Sequence, residues 1–198
     1  MRPGEIWVGV DPGTTKSAWV TSTVVRLPGG KLLLAPKKSG WDENATVARY
    51  CRGWGVCYQL AIEGIGYRGI GVGADVFRTC MWMGYFIARY KQGRTALVIQ
   101  RPLVTRHFTG TNAKKAQVWV AIQDLYGGQD VAVGGKKCIV CKGKGWNGRG
   151  RPECMQCAGS GYEHPPGILY PLKAGKAHLR DAFAVSLAAA QGVEGEEW

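Results

Sequence analysis

The chain opens on a strand that carries an acid to its tip. Residues 5–20 read Glu-Ile-Trp-Val-Gly-Val-Asp-Pro-Gly-Thr-Thr-Lys-Ser-Ala-Trp-Val. Ile6 to Val10 is a short run rich in β-formers, Pro12-Gly13 breaks it, and a second β-rich run follows at once. A chain that begins this way builds a hairpin and delivers Asp11 to the end of a sheet. Two chemistries use that arrangement. One cradles nucleotide phosphate in backbone amides and hydroxyls. The other holds a divalent metal that cuts nucleic acid.

The rest of the sequence continues the layered pattern. Residues 17–27 and 31–35 complete a three-strand meander across the turn Leu27-Pro28-Gly29-Gly30. A helix is expected over 42–52, with Asp42 as its N-cap. The apolar stretch 56–63 reads as a strand covered on both faces. The glycine-rich stretch 64–73 leads into a helix over 74–91, where Phe77, Met81, Gly84 and Ala88 share one stripe beside Trp82 and Tyr85. A strand at 95–100, a helix at 112–126 capped by Asn112, and a final helix at 176–191 stopped by Gly192 complete the pattern. The order β-β-β-α-β-α-β-α, an interruption and a last helix predicts an α/β fold with a mixed sheet. The expected layout is a core over 1–126, an insertion over 127–172, and a core helix within 173–198.

The insertion lacks apolar periodicity and needs another source of order. It holds Cys-Ile-Val-Cys-Lys-Gly-Lys-Gly and Cys-Met-Gln-Cys-Ala-Gly-Ser-Gly. Two matched Cys-x-x-Cys pairs, Cys138 with Cys141 and Cys154 with Cys157, suit a tetrahedral structural Zn²⁺. Metal of this kind supplies roughly 10–16 kcal/mol of folding energy in small modules. The repeat resembles the cysteine-rich region of DnaJ-type chaperones, in a short stretch that carries no chaperone function over. Cys51, Cys57 and Cys80 are expected to be plain buried thiols.

The chain has 198 residues, 26 Lys and Arg against 14 Asp and Glu, and a net charge of +12. That balance favours a polyanion as partner. Lys136, Lys137, Lys142, Lys144, Arg149 and Arg151 concentrate on the insertion, either to grip phosphate backbone or as a solvated face. No apolar run reaches membrane-spanning length, so no membrane is expected as partner. The absence of a charged-then-apolar leader argues for the cytoplasm, of a bacterial or a phage-infected cell.

Asp-x-Gly-Thr-Thr also begins ATPases of the actin, sugar-kinase and heat-shock-chaperone type. Those proteins repeat the phosphate hairpin in a second lobe, and no second copy occurs here. The metal reading instead needs several carboxylates converging on one point. Glu63 ends the strand at 56–63, after apolar Leu60 and Ile62. His178 and Asp181 stand three residues apart on the final helix, hence on one face. Each acid also has an ordinary use: Asp11 as a turn cap, Glu63 as a solvated strand end, Asp181 as a partner of Arg180 or Lys176.

The stretches VGVDPGTTKSAW, LAIEGIGYRG, GADVFRTCMWMGYFIARY, TNAKKAQV and HLRDAFAVSLAAA together resemble RuvC Holliday junction resolvases, in order along the chain apart from the insertion. The resemblance implies an RNase H-like mixed five-stranded sheet flanked by helices, a homodimer, and metal-dependent cleavage of four-way DNA junctions or other branched DNA by paired nicks. It makes Asp11, Glu63 and Asp181 metal-binding carboxylates, and places His178 where family members carry Asp or His. Two Mg²⁺ or Mn²⁺ ions per site are expected, with Asp11 between them. Lys114 and Lys115 match a basic spot facing the DNA backbone. Tyr67 and Arg68 fall on the loop that probes the junction centre, and the helix at 74–91 matches the dimerisation element. The zinc-binding insertion departs from the family and leaves substrate range open. Two rival readings stay in view: a non-catalytic branched-DNA binder, and a hydrolase of RNA–DNA hybrids.

Overall fold

The structure, a computed structural model, describes residues 1–54, 58–65, 73–90, 95–110, 113–137, 162–164, 166–172 and 177–197. Strand β1 (Ile6–Asp11) pairs antiparallel with β2 (Lys16–Arg26), which pairs antiparallel with β3 (Leu32–Glu43). Helix α1 (Asn44–Gly53) precedes β4 (Tyr58–Gly64), which lies parallel to β1. Helix α2 (Ala74–Tyr90) precedes β5 (Leu97–Gln100), parallel to β4. Helices α3 (Arg101–Thr109), α4 (Lys115–Leu125) and α5 (Gln129–Ala132) follow, then strands β6 (Lys136–Lys137) and β7 (Tyr162–His164), helix α6 (Ala177–Ala190) and strand β8 (Glu196–Glu197). The main sheet runs β3-β2-β1-β4-β5-β8. It is the mixed, helix-flanked sheet expected from the sequence, with β8 added at its edge.

β1 is central, and its two faces do different work. Side chains alternate along a strand. Val8 and Val10 join Leu60, Ile62, Val47, Phe86 and Ile87 in one buried core with α1 and α2. Gly9 and Asp11 point the other way, towards α6. That helix is buried from Ala182 to Ala190 and packs across β1, β2 and β4. Gly9 is what lets it approach, because a Cβ there would fall 1.7 Å from the Ala182 carbonyl oxygen. The backbone must shift to admit any side chain. Gly9→Ala is therefore expected to cost about 1–3 kcal/mol, read as a lower urea midpoint with unchanged slope.

Several local expectations are revised. β3 extends well past residue 35; its later residues include Pro36 and exposed Lys37 and Lys38, which in sequence read as loop. An edge strand tolerates all three. Asp42 is not a cap. It lies in β3 and accepts a hydrogen bond from Trp19 Nε1 at 2.7 Å, while α1 begins at Asn44. Helix α3 was not expected; it is short, and its start is marked only by Pro102. β8 has two residues, too few for any alternation to show. On α2 the core side is Thr79, Phe86, Ile87 and Tyr90, whereas Phe77, Met81 and Tyr85 are exposed. Cys51 is buried as expected, and burial pushes its thiol up to about 12. Cys80 is exposed, contrary to expectation, because the stripe it sits beside is not the core side. Cys57 lies outside the described residues.

The chain divides into two compact units, Met1–Trp119 with Gly175–Trp198, and Val120–Ala174. In the second, the segment after β7 folds against the end of α5. Gly167 N–H donates to Val133 O at 3.0 Å, and Leu169 N–H donates to Ala132 O at 2.7 Å. β6 and β7 pair antiparallel. Cys138, Cys141, Cys154 and Cys157 lie between them, outside the described residues. Among the described residues no helix is long and apolar enough to cross a membrane.

Candidate metal centre

Asp11 ends β1 at the mouth of a turn that other residues lock. Ser17 Oγ accepts from Gly13 N–H at 3.2 Å and donates to Asn44 Oδ1 at 2.6 Å. Asn44 Nδ2 returns to Gly13 O at 2.9 Å, and its backbone N–H donates to Thr15 O at 2.9 Å. The start of α1 thus clamps the Pro-Gly-Thr-Thr turn through buried polar groups, which fixes the strand end carrying Asp11. The turn's backbone is committed to the fold, which fits a hairpin that positions an acid.

Parallel pairing of β1 with β4 sets Val10 opposite Ile62, so Asp11 and Glu63 extend from neighbouring strand ends. On the first turn of α6, His178 and Asp181 face the same place. His178 Nδ1 lies 2.7 Å from Asp11 Oδ2. One ligand atom from each of Asp11, His178 and Asp181 lies within 4.8 Å of the others. The close approach at Gly9 makes this possible, since it seats α6 directly over β1.

Two cations stand among the acids. Arg101, the first residue of α3, hydrogen-bonds Glu63 Oε1 through Nε, and its Nη2 lies 3.4 Å from Asp181 Oδ2 and 4.0 Å from Asp11 Oδ1. Lys115, the first residue of α4, donates to Asp181 Oδ2. Burial pushes the Glu63 carboxyl up to about 7; the Arg101 hydrogen bond opposes the rise and the Asp11 charge adds to it. Burial works against the Arg101 charge, but the carboxylates around it outweigh this and hold it above its ordinary value. A cleft of about 20 Å³ opens among Glu63, Arg101, Thr105, Lys115 and Asp181. That is room for a water or an ion.

These residues fit a divalent metal. Three carboxylates and one imidazole are the hard, oxygen-rich donors that Mg²⁺ and Mn²⁺ take. Glu63 Oε2 is buried and has no hydrogen-bond partner among the described residues. An orphaned carboxylate oxygen beside three more donors is an unmet demand for a cation.

No family model matches the chain, and no curated protein does. Solved structures do. The Thermus thermophilus RuvC structure aligns at a TM-score of 0.57 and 14% identity, covering 98% of this chain and 99% of that one. T. thermophilus RuvC in complex with Holliday junction substrate aligns at 0.57 and 12% identity, with the same coverage.

The fold is RuvC-like.

On this RuvC-like core, the acids picked out from the sequence, Asp11, Glu63 and Asp181, stand at one end of the sheet with His178. Lys114 is exposed, and its backbone N–H caps α4 by donating to Gln117 Oε1 at 2.8 Å. Lys115, expected at the DNA backbone, pairs with Asp181. Lys136 and Lys137 are exposed on β6. Tyr67, Arg68, Lys142, Lys144, Arg149 and Arg151 lie outside the described residues. Sequence reasoning missed Arg101 and Asn44. Arg101 carried a signal: it follows the end of β5, a parallel strand next to the one that ends in Glu63. Asn44 carried none, because its partners are 27 and 31 residues away.

Proposed function

We propose that this chain is a metal-dependent, structure-selective endodeoxyribonuclease that resolves four-way (Holliday) junctions or other branched DNA by paired nicks. The observation that carries the reading is the convergence of Asp11, His178 and Asp181, with Glu63 beside them, on a RuvC-like fold. The net charge of +12 suits a polyanionic substrate. Asp11, Glu63, Asp181 and His178 would hold two Mg²⁺ or Mn²⁺ ions. Such ions turn a water into a nucleophile at neutral pH and stabilise the leaving oxygen of a phosphodiester. The protein's own part is to hold the ligands still. Asp11 accepts from His178 Nδ1–H, which leaves Nε2 on the half-exposed ring free to ligate a metal or orient a water. Nicks on this pattern would leave 5′-phosphate and 3′-hydroxyl ends.

Paired nicks need two sites, and we assign the second to another copy of the chain. Phe77, Met81 and Tyr85 form an exposed apolar strip on α2, 63%, 74% and 41% accessible. It borders a groove of about 790 Å³ lined by Arg49, Arg52, Trp82 and other residues of α1 and α2. An apolar strip rimmed by arginine is the composition of a protein interface.

Labelled four-way junction, linear duplex and RNA–DNA hybrid, each incubated with Mg²⁺, separate this reading from its rivals. Symmetric nicks in the junction support it. Junction binding without cleavage would leave an architectural protein, and cleavage of the hybrid alone an RNase H-like hydrolase.

Three further outcomes are expected. Metal must displace the proton that Glu63 retains below about pH 7, so Mn²⁺ affinity is expected to rise as pH climbs through 7. The metal-free fold responds with the opposite sign. Glu63's contribution to its stability is full below the ordinary value of 4.5 and lost as pH rises through about 7. Calorimetric titrations at pH 6 and 8 check the first statement, and melting curves across the same range check the second. Elemental analysis is expected to find one zinc per chain, lost in a Cys141→Ser, Cys154→Ser variant. Four cysteines with no bound zinc would remove the structural-metal reading of the insertion.

A further inference from the structure

The contacts of Arg101 differ from those of a bidentate ion pair. A built-in guanidinium–carboxylate bridge is usually bidentate, with two short parallel bonds. Here only the Glu63 contact is a close one; Asp181 at 3.4 Å and Asp11 at 4.0 Å are touched loosely by the same nitrogen. The Arg101 side chain is 29% accessible and springs from the first residue of a helix, so it has a route to solvent. The oxygens it engages, Glu63 Oε1 and Asp181 Oδ2, are ones a divalent ion would need. With Lys115 it sets two positive charges against the three negative charges of Asp11, Glu63 and Asp181.

We propose that Arg101 is a displaceable counter-ion. It offsets part of the carboxylates' charge when metal is absent, is ejected when metal binds, and so sets how tightly the centre takes a divalent cation. Resting on the metal-centre reading above, this adds a residue that tunes the centre without ligating anything. The physical reason is competition for one negative field. Three carboxylates this close repel each other strongly at low effective dielectric. A mobile cation on a tether lets the metal-free protein fold around them. The tether also holds that cation at high effective concentration, so an incoming ion must outcompete it.

The test is Mn²⁺ binding by the chain without DNA, at pH 8, followed by calorimetry, together with melting temperatures with and without Mn²⁺. Arg101→Gln removes the charge, and Arg101→Lys keeps it while losing the planar fork. Arg101→Gln is expected to bind Mn²⁺ on the order of tenfold more tightly than wild type, with Arg101→Lys in between. Its metal-free melting temperature should drop, and the rise on adding Mn²⁺ should exceed that of wild type. Unchanged or weaker Mn²⁺ affinity in a folded Arg101→Gln protein overturns the proposal. So does a drop in melting temperature that is equal with and without metal, the mark of a structural bridge. Asp11→Asn locates the binding event, since it should lose Mn²⁺ in either background. If wild type itself binds no Mn²⁺, the metal centre and this inference fall together. If wild type binds and Arg101→Gln gains nothing, only this inference falls.

Discussion

Asp11→Asn is expected to reduce junction nicking by about 10³-fold or more while junction binding stays near wild type. The substitution is nearly isosteric and removes one negative charge from the middle of the cluster. Asp11 is 8% accessible and lies between His178 on one side and the Glu63 strand end on the other. An amide there can still take a hydrogen bond from His178, so the fold should survive. What it cannot do is supply an anionic oxygen to a metal, and no neighbouring carboxylate sits on the same strand to replace it. In the proposed function, binding to DNA would rest instead on positive charge spread over the protein, and losing an acid would slightly favour it. The measurement is a single-turnover rate on a labelled four-way junction, beside a gel-shift affinity in Ca²⁺. A variant that nicks at more than a tenth of the wild-type rate would show that Asp11 is a turn residue and no ligand. One that neither nicks nor binds would point to misfolding, which a melting curve exposes.

Met81→Glu is the second large effect. At 74% accessible, Met81 makes little contribution to the core of its own chain, so the monomer should keep its melting temperature. If the Phe77–Met81–Tyr85 strip is the face between two copies, each partner gains a desolvated charge at the centre of the contact. Buried apolar anchors of this kind are worth about 2 kcal/mol or more, roughly a 30-fold loss in dimer affinity. Sedimentation should show the wild type as a dimer and the variant as a monomer at the same micromolar concentration. Its cuts should turn from paired to independent nicks, with the rate of each nick less affected than their coincidence. An unchanged sedimentation coefficient would remove α2 as the interface. Phe77→Glu supplies an independent check four residues away on the same strip.

How much of this was legible beforehand depended on the range of the interactions involved. The central strands could be read because their burial pattern is a local period: Val8 and Val10 alternate with Gly9 and Asp11. The acids could be read because each sits where a pattern ends, Asp11 before Pro12-Gly13 and Glu63 after Leu60 and Ile62. The orientation of α2 could not. Its helix is apolar on more than one side, so the periodicity offered two stripes. Only packing against Val47, Ala48 and Leu60 chose the one through Phe86 and Tyr90 and left Phe77 and Met81 outside. β3 was half hidden for the opposite reason. An edge strand needs only one satisfied neighbour, so lysine and proline are tolerated in it and the pattern disappears.

Order along the chain is enough to set a first strand that carries an acid to a glycine turn, further acids at a strand end and a helix start, and a strongly basic whole. These are properties of neighbours along the chain. Tertiary structure alone decided that Asp11, His178 and Asp181 meet and that Arg101 joins Glu63 to them, because this depends on parallel pairing of β1 with β4 and on α6 resting against Gly9. It alone put Arg101 and Lys115 among them. A charge's effect depends on separation in space, and residues 11, 63, 101, 115 and 181 have no fixed separation until the chain folds.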